Sequence, residues 1–298
     1  MIPTTVIGSY PVRLDGVKYA GAYFSGRSVD AADESVSQAV ERQLEAGVDI
    51  ISDGQTRGGF VKIFACKFRG VVMQKKPVVI REIEYAGPST AGDQLKVRGM
   101  LPDRVKLKGI ITGPYTLAKS SVNRHYDSLR ELAFAYADGL AKEAEELDKV
   151  VDYIQVDEPF YSVDYPEYGR ELTEKVFGGV KAPRMLHVCG DVSCVFKELV
   201  EYKVDCLEHE FAANPRLWDA VKDVDFTQTL GVGVVRSDLN KVESAGEIRG
   251  RMETALKHLD EERLMFNPDC GLRSLDPEVA YGKLRNMVEA RNKLERRI

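Results

Sequence analysis

A chain of 298 residues that is 44% hydrophobic can bury a sizeable core, as one large α/β barrel or as two smaller domains. Its formal net charge of −5 leaves no basic surplus for nucleic acid or an anionic membrane surface. Five cysteines, an odd number, argue against a disulfide framework and for metal or thiol chemistry in a reducing compartment. The opening Met1-Ile2-Pro3-Thr4-Thr5 has no basic region or long apolar core, and no apolar run is long enough to span a bilayer, so a cytoplasmic protein is expected.

Residues 4–10 (TTVIGSY) read as a short buried strand closed by Gly8-Ser9. Positions 13–30 are polar, Gly-containing and aperiodic. Ala32, Val36, Ala39, Val40 and Leu44 recur at helical spacing over 30–46, and Gly47 is a stop. A second strand at 48–52 ends at Asp53-Gly54-Gln55, and 58–68 reads as helix. Over 77–99, β-branched and charged residues alternate, which predicts a β-hairpin insertion near residues 77–100, laid outside the main fold. The rhythm then becomes regular. Strands at 105–112, 153–156, 185–188, 204–208, 226–235 and 264–267 alternate with helices at 128–147, 167–177, 192–202, 215–221, 244–258 and 277–294. About eight strand-then-helix units argue for a parallel sheet. At this length they predict a (β/α)8 TIM barrel over 1–298 as one catalytic domain, with a doubly wound open sheet as the alternative.

The chemistry gathers at strand ends. In Met185-Leu186-His187-Val188-Cys189-Gly190 an apolar run delivers His187 and Cys189 two residues apart, on one side of a strand. Cys206-Leu207-Glu208-His209-Glu210-Phe211 and Asn267-Pro268-Asp269-Cys270-Gly271 end two further runs. Taken alone, an H-x-C pair is usually a packed Cys beside a hydrogen-bonded His. Three such groups, each at the end of its own run, point instead to one zinc site of His187, Cys189, Glu210 and Cys270. Paired C-x-x-C hooks are missing and the ligands are spread along the chain, which suits a catalytic metal better than a structural staple. In a barrel, Ser9, Asp53 to Gln55 and Asp157-Glu158 would sit at the same C-terminal end as these ligands.

Thr4-Thr5-Val6-Ile7-Gly8-Ser9-Tyr10-Pro11, Thr112-Gly113-Pro114, Gln155-Val156-Asp157-Glu158-Pro159, His187-Val188-Cys189 and Asn267-Pro268-Asp269-Cys270-Gly271-Leu272 follow one another along nearly the whole chain. In this order and spacing the chain resembles the C-terminal catalytic barrel of cobalamin-independent methionine synthases, in the short single-barrel form that lacks the family's N-terminal barrel. The last motif is the most specific; a lone TGP is weak. The resemblance implies a zinc-dependent methyltransferase that makes methionine from homocysteine. Zinc would be held by His187, Cys189, Glu210 and Cys270, and the only catalytic group would be the zinc-bound substrate thiolate. Glu208 shares a strand face with Glu210; the latter is preferred because it lies nearer the strand end and is followed by Phe-Ala, as in the family. Ile7, Ser9, Gln55 and Asp157 match positions that hold the substrate's amino-acid end.

The departures fall mostly on the donor side. The family's proton-relaying His is matched by Arg236, its pterin-stacking Trp by Ser120, and two Glu positions by Val163 and Gln55. A folate donor needs a stacking aromatic and an acid for its leaving nitrogen, and Arg is a poor acid near neutral pH. The expected donor is therefore methylcobalamin or a methylated corrinoid protein, with Arg236 binding an anionic donor group or a partner's backbone. Two alternatives are alkyl transfer to another thiol such as coenzyme M and a non-catalytic zinc-stabilised barrel.

Overall fold

The computed structural model describes residues 1–13 and 31–296, so positions 14–30 of the aperiodic stretch lie outside the described residues. In chain order the strands are β1 (Ile50–Ile51), β2 (Phe68–Met73), β3 (Pro77–Tyr85), β4 (Lys106–Thr112), β5 (Val122–Asn123), β6 (Tyr153–Asp157), β7 (Arg184–Val188), β8 (Cys206–His209), β9 (Thr229–Val235) and β10 (Leu264–Pro268). Seven of them form one sheet in the order β1-β4-β6-β7-β8-β9-β10, parallel throughout. Thr4 bridges Phe266 of β10 and Thr5 bridges Ile50 of β1, both in parallel. Residues 4–5 are thus the eighth stave and close the sheet into the expected barrel.

Helices cover the outside because their apolar faces need a partner. The longest, Leu129–Leu147 and Pro277–Glu295, bury Leu132, Tyr136 and Leu140, and Leu284, Met287 and Leu294. Each fully buried side chain of this kind stabilises by roughly 1.5–3 kcal/mol. Their starts were legible: Ser128 accepts the Glu131 N–H at 3.1 Å, and Asp276 precedes Pro277 and accepts the Glu278 N–H at 3.0 Å. Inside the barrel, Ile50, Met185, Cys206 and Met265 form an apolar floor. Lys108, Gln155 and Glu208, all fully buried, lie above it.

Two expectations need correction. The hairpin is β2–β3, spanning 68–85 rather than 77–100, and β5 joins it as a third strand. Its first arm is masked in the sequence by a bulge at Gly70 (φ +88°), which breaks the alternation. Residues Ala91–Arg98 are a helix instead. Its N-terminus is capped from a distance, by Glu143 accepting the Ser89 and Thr90 N–H groups at 2.7 and 3.0 Å. No local pattern announces a cap supplied from another helix. The expected helix at 192–202 shrinks to Phe196–Leu199.

The closing seam rests on Asp49. Its carboxylate accepts the Thr4 N–H at 2.8 Å and the Thr4 hydroxyl at 2.7 Å, and pairs with Arg291 of the last helix at 2.8 Å. Asp49→Ala is expected to lower unfolding free energy by about 2 kcal/mol, since hydrogen bonds to charged groups contribute about 1.5–3 kcal/mol. An unchanged urea midpoint would show that the seam is held elsewhere.

Candidate metal centre and substrate cavity

Strand alternation brings the cluster together. On β7, Met185 packs in the floor, His187 stands above it, and Cys189 lies just past the strand end. Gly190, at φ +86°, then turns the chain away. Cys270 enters from the loop after β10. The His187 Nδ1–H donates to the Glu208 carbonyl at 3.1 Å, which turns Nε2 toward the sulfurs. Nε2 lies 2.9 Å from the Cys189 sulfur, and the two sulfurs are 2.8 Å apart. One ligand atom from each of the three residues falls within 4.8 Å of the others. The Cys189 S–H donates to Cys270, which holds the Cys270 thiol well below its ordinary pKa and pushes Cys189 up, so the pair shares one proton.

A cavity of about 190 Å³ opens on this cluster. Ile7, Ser9, Gln55, Asp157, His187, Cys189 and Cys270 all line it, so seven of the eight site residues expected from the sequence meet at one place. Burial pushes the Asp157 carboxyl up to about 7. Asp157 caps no helix: the short turn Pro159–Ser162 that follows it has no side-chain cap, and the neighbouring Glu158 serves a different helix. Glu158 is fully buried and accepts the Tyr115 and Thr116 N–H groups at 2.9 Å each, at the start of helix Pro114–Ser120. Gln55 sits in the left-handed region (φ +47°), and its buried side-chain NH2 has no protein partner.

The eighth residue, Glu210, lies outside the tight group. Burial raises its carboxyl pKa, and charge on Cys270 adds to the shift. Glu208, its rival, is fully buried and paired with Lys108 at 3.0 Å. Arg236 does not line the cavity; its Nε donates to Asp238 at 2.7 Å, and Asp238 holds the guanidinium from both sides. Cys66 and Cys194 are exposed and Cys206 belongs to the floor.

Sequence reasoning missed Phe60, Arg273 and Gln155. Arg273 lines the cavity and donates to the backbone carbonyls of Gln55 and Gly58. It stands three residues after Cys270 in the same loop, which was a usable signal. Gln155 lies beneath the cavity. Its side-chain NH2 donates to the Ile7 carbonyl at 2.8 Å and to Asp157 Oδ1 at 2.5 Å, tying two cavity walls together.

Residues 2–293 match the family described as the catalytic domain of cobalamin-independent synthase. The chain belongs to this family. The methionine synthase of Methanocaldococcus jannaschii is 36% identical over 96% of this chain and 97% of that protein. That of Methanothermobacter marburgensis is 37% identical over 96% and 98%. The family and these relatives make the protein a methyltransferase of the methionine synthase type, acting in methyl transfer that forms methionine. Among solved structures, a B12-independent methionine synthase from Shewanella sp. W3-18-1, in complex with selenomethionine, superimposes with a TM-score of 0.85. It is 24% identical and the match covers 100% of this chain and 98% of that one. A methyltransferase from Methanosarcina mazei follows the same fold, with a TM-score of 0.71 at 14% identity over 99% and 94% of the two chains. Among the described residues no helix is long and apolar enough to cross a membrane.

One contact at the cavity is tight enough to test. A Cβ on Gly271 would lie 2.1 Å from the Ser9 hydroxyl oxygen, so any side chain there must push Ser9 out of place. Gly271→Ala is expected to lower kcat/KM for methionine formation about tenfold or more, since misplacing a positioning group is costly, while the thermal midpoint moves little. Unchanged kinetics would mean that Ser9 has no part in the reaction.

Proposed function

We propose that the chain transfers a methyl group to the thiol of homocysteine at a zinc site, with methylcobalamin or a methylated corrinoid protein as donor. The observation that carries this reading is the opening of the His187–Cys189–Cys270 cluster onto a cavity that also presents Ser9, Gln55 and Asp157. One imidazole nitrogen, two sulfurs and a nearby carboxylate are a donor set that suits zinc. His187, Cys189, Cys270 and Glu210 would hold the ion. Bound there, zinc keeps a thiol deprotonated at neutral pH, where a free thiol of pKa about 8.5 is mostly protonated.

The chain's own residues do the rest. The Glu208 carbonyl fixes the His187 ring and its tautomer, which orients Nε2 toward the sulfurs. Asp157 faces the cavity as an acid for the substrate ammonium, and Gln155 holds it in place. The Ser9 hydroxyl, the free Gln55 NH2 and Arg273 offer donors and positive charge for a carboxylate. Held at both ends, the substrate has its sulfur aimed at the barrel mouth, a positioning contribution. The sulfur's electron pair forms the new S–CH3 bond, and the donor departs with the pair of its former bond to the methyl. A cob(I)alamin leaving group needs no proton. That fits a chain with Ser120 at the family's stacking position and an Arg236 committed to Asp238. The free cysteines suit a cytoplasmic enzyme, and the chain acts as one catalytic domain over 1–298.

Arg273 in the cavity wall keeps one second reading, a thiol that carries an anionic tail, such as coenzyme M. Asp157 on the opposite side favours an amino acid, because it would repel a purely anionic thiol.

Metal analysis tests the site. One zinc per chain is expected in the native protein and in Cys66→Ser, Cys194→Ser and Cys206→Ser, with loss of zinc in Cys189→Ser and Cys270→Ser. Full zinc content in Cys270→Ser would remove the assignment. The donor is tested by incubating zinc-loaded protein with homocysteine and either methylcobalamin or methyltetrahydrofolate, and measuring methionine. Turnover is expected with the corrinoid and little with the folate; the reverse result would overturn the donor assignment. Replacing homocysteine by coenzyme M in the same assay separates the second reading.

A further inference from the structure

We propose that Lys108 selects the metal's carboxylate ligand: it holds Glu208 inside the barrel and thereby leaves Glu210 as the acid available to the His187–Cys189–Cys270 cluster. This rests on the zinc reading above. Glu208 lies in β8 and Glu210 two residues on, just past its end, so strand alternation sets them on the same face. Both are carboxylates, and a site with one open position could take either.

The structure treats them differently. Both oxygens of Glu208 sit on the Lys108 ammonium, at 3.0 and 3.2 Å, and both residues are completely buried. Lys108 reaches them across the barrel from β4, which is separated from β8 by β6 and β7 in the sheet. Glu210 is only half-buried, and no cation pairs with it among the described residues. Glu208 nevertheless stands beside His187 in the register of β7 and β8, and its backbone carbonyl takes the His187 Nδ1–H. A free carboxylate at that position would compete for the metal. An ion pair buried this deeply is rarely the most stabilising filling for a core, since apolar residues of similar volume usually do as well or better. A role in specificity accounts for its presence: the ammonium occupies the wrong carboxylate.

Zinc affinity, measured by competition with a chromophoric chelator, reads this without any turnover. Glu210→Gln alone is expected to weaken zinc at least about tenfold, the scale of a lost metal partner. Adding Lys108→Met should free Glu208 to replace the missing acid, so Lys108→Met/Glu210→Gln should regain most of that loss. The triple variant with Glu208→Gln should lose it again. A double variant that binds zinc no better than Glu210→Gln would overturn the proposal. Lys108→Met leaves a buried unpaired acid and can fail to fold. Lys108→Met/Glu208→Gln replaces the pair by two neutral groups and avoids that. It should bind zinc within about threefold of the native protein, well short of the tenfold loss expected on removing a ligand. A loss of zinc there, with the circular dichroism spectrum unchanged, would make Glu208 itself the ligand and overturn the proposal equally. A native protein that takes up no zinc would instead remove the metal reading, a distinct result.

Discussion

The mouth of this barrel depends on the seam between its first stave and β10. Ile7 and Ser9 follow directly from Thr4 and Thr5, and Cys270 follows directly from β10. The two walls are stitched again above the seam, where the Leu272 N–H donates to the Ser9 carbonyl at 2.7 Å. Gly271 lets the strands approach closely enough for that contact. Were the seam to open, the cluster would lose one sulfur, and the cavity would lose its Ile7–Ser9 wall with it. Asp49, far below, thus bears on chemistry it never touches.

Between floor and mouth lies a layer that most barrels fill with branched apolar side chains. Here it holds Lys108, Gln155, Glu208 and Asn267, all fully buried. Buried polar groups are costly unless paired, and most of these are paired in ways that serve the site. Gln155 ties Ile7 to Asp157, and Lys108 holds Glu208. One oxygen on Gln155 and one on Asn267 have no protein partner. The layer gives up some stability and fixes where the groups above it point.

The barrel was legible from short-range periodicity, and most of the cavity lining from strand-end residues and the family resemblance. Two-residue alternation put His187 beside Cys189 and set Glu208 and Glu210 on one face; several strand ends, such as those before Gly113, Pro159 and Gly190, were marked by Gly or Pro. What was not legible came from contacts across the fold. The helix Ala91–Arg98 is capped by Glu143 from another helix, and the hairpin's first arm is disguised by the Gly70 bulge. Glu208 and Glu210 could not be told apart by spacing, because the difference lies in Lys108, a hundred residues earlier. Arg273 was visible in the sequence but had no partner there to give it a meaning.

Charge balance links these features to the reaction. Two thiolates and one carboxylate around a divalent zinc would leave the centre about one negative charge, from the ordinary charges of such ligands. A second carboxylate in the set would add another and make an anionic sulfur harder to bring in. Pairing Glu208 with Lys108 removes that charge without emptying the position. On the proposed reading, Asp157, beside His187 in the register of β6 and β7, would be neutralised by a substrate ammonium, and Arg273 in the cavity wall would supply the opposite sign for the carboxylate. The proposed substrate would then carry in the charges that this cavity lacks. Negative charge at such a centre would favour a nucleophilic sulfur, and a corrinoid donor, as proposed, would leave on its own stability as a leaving group.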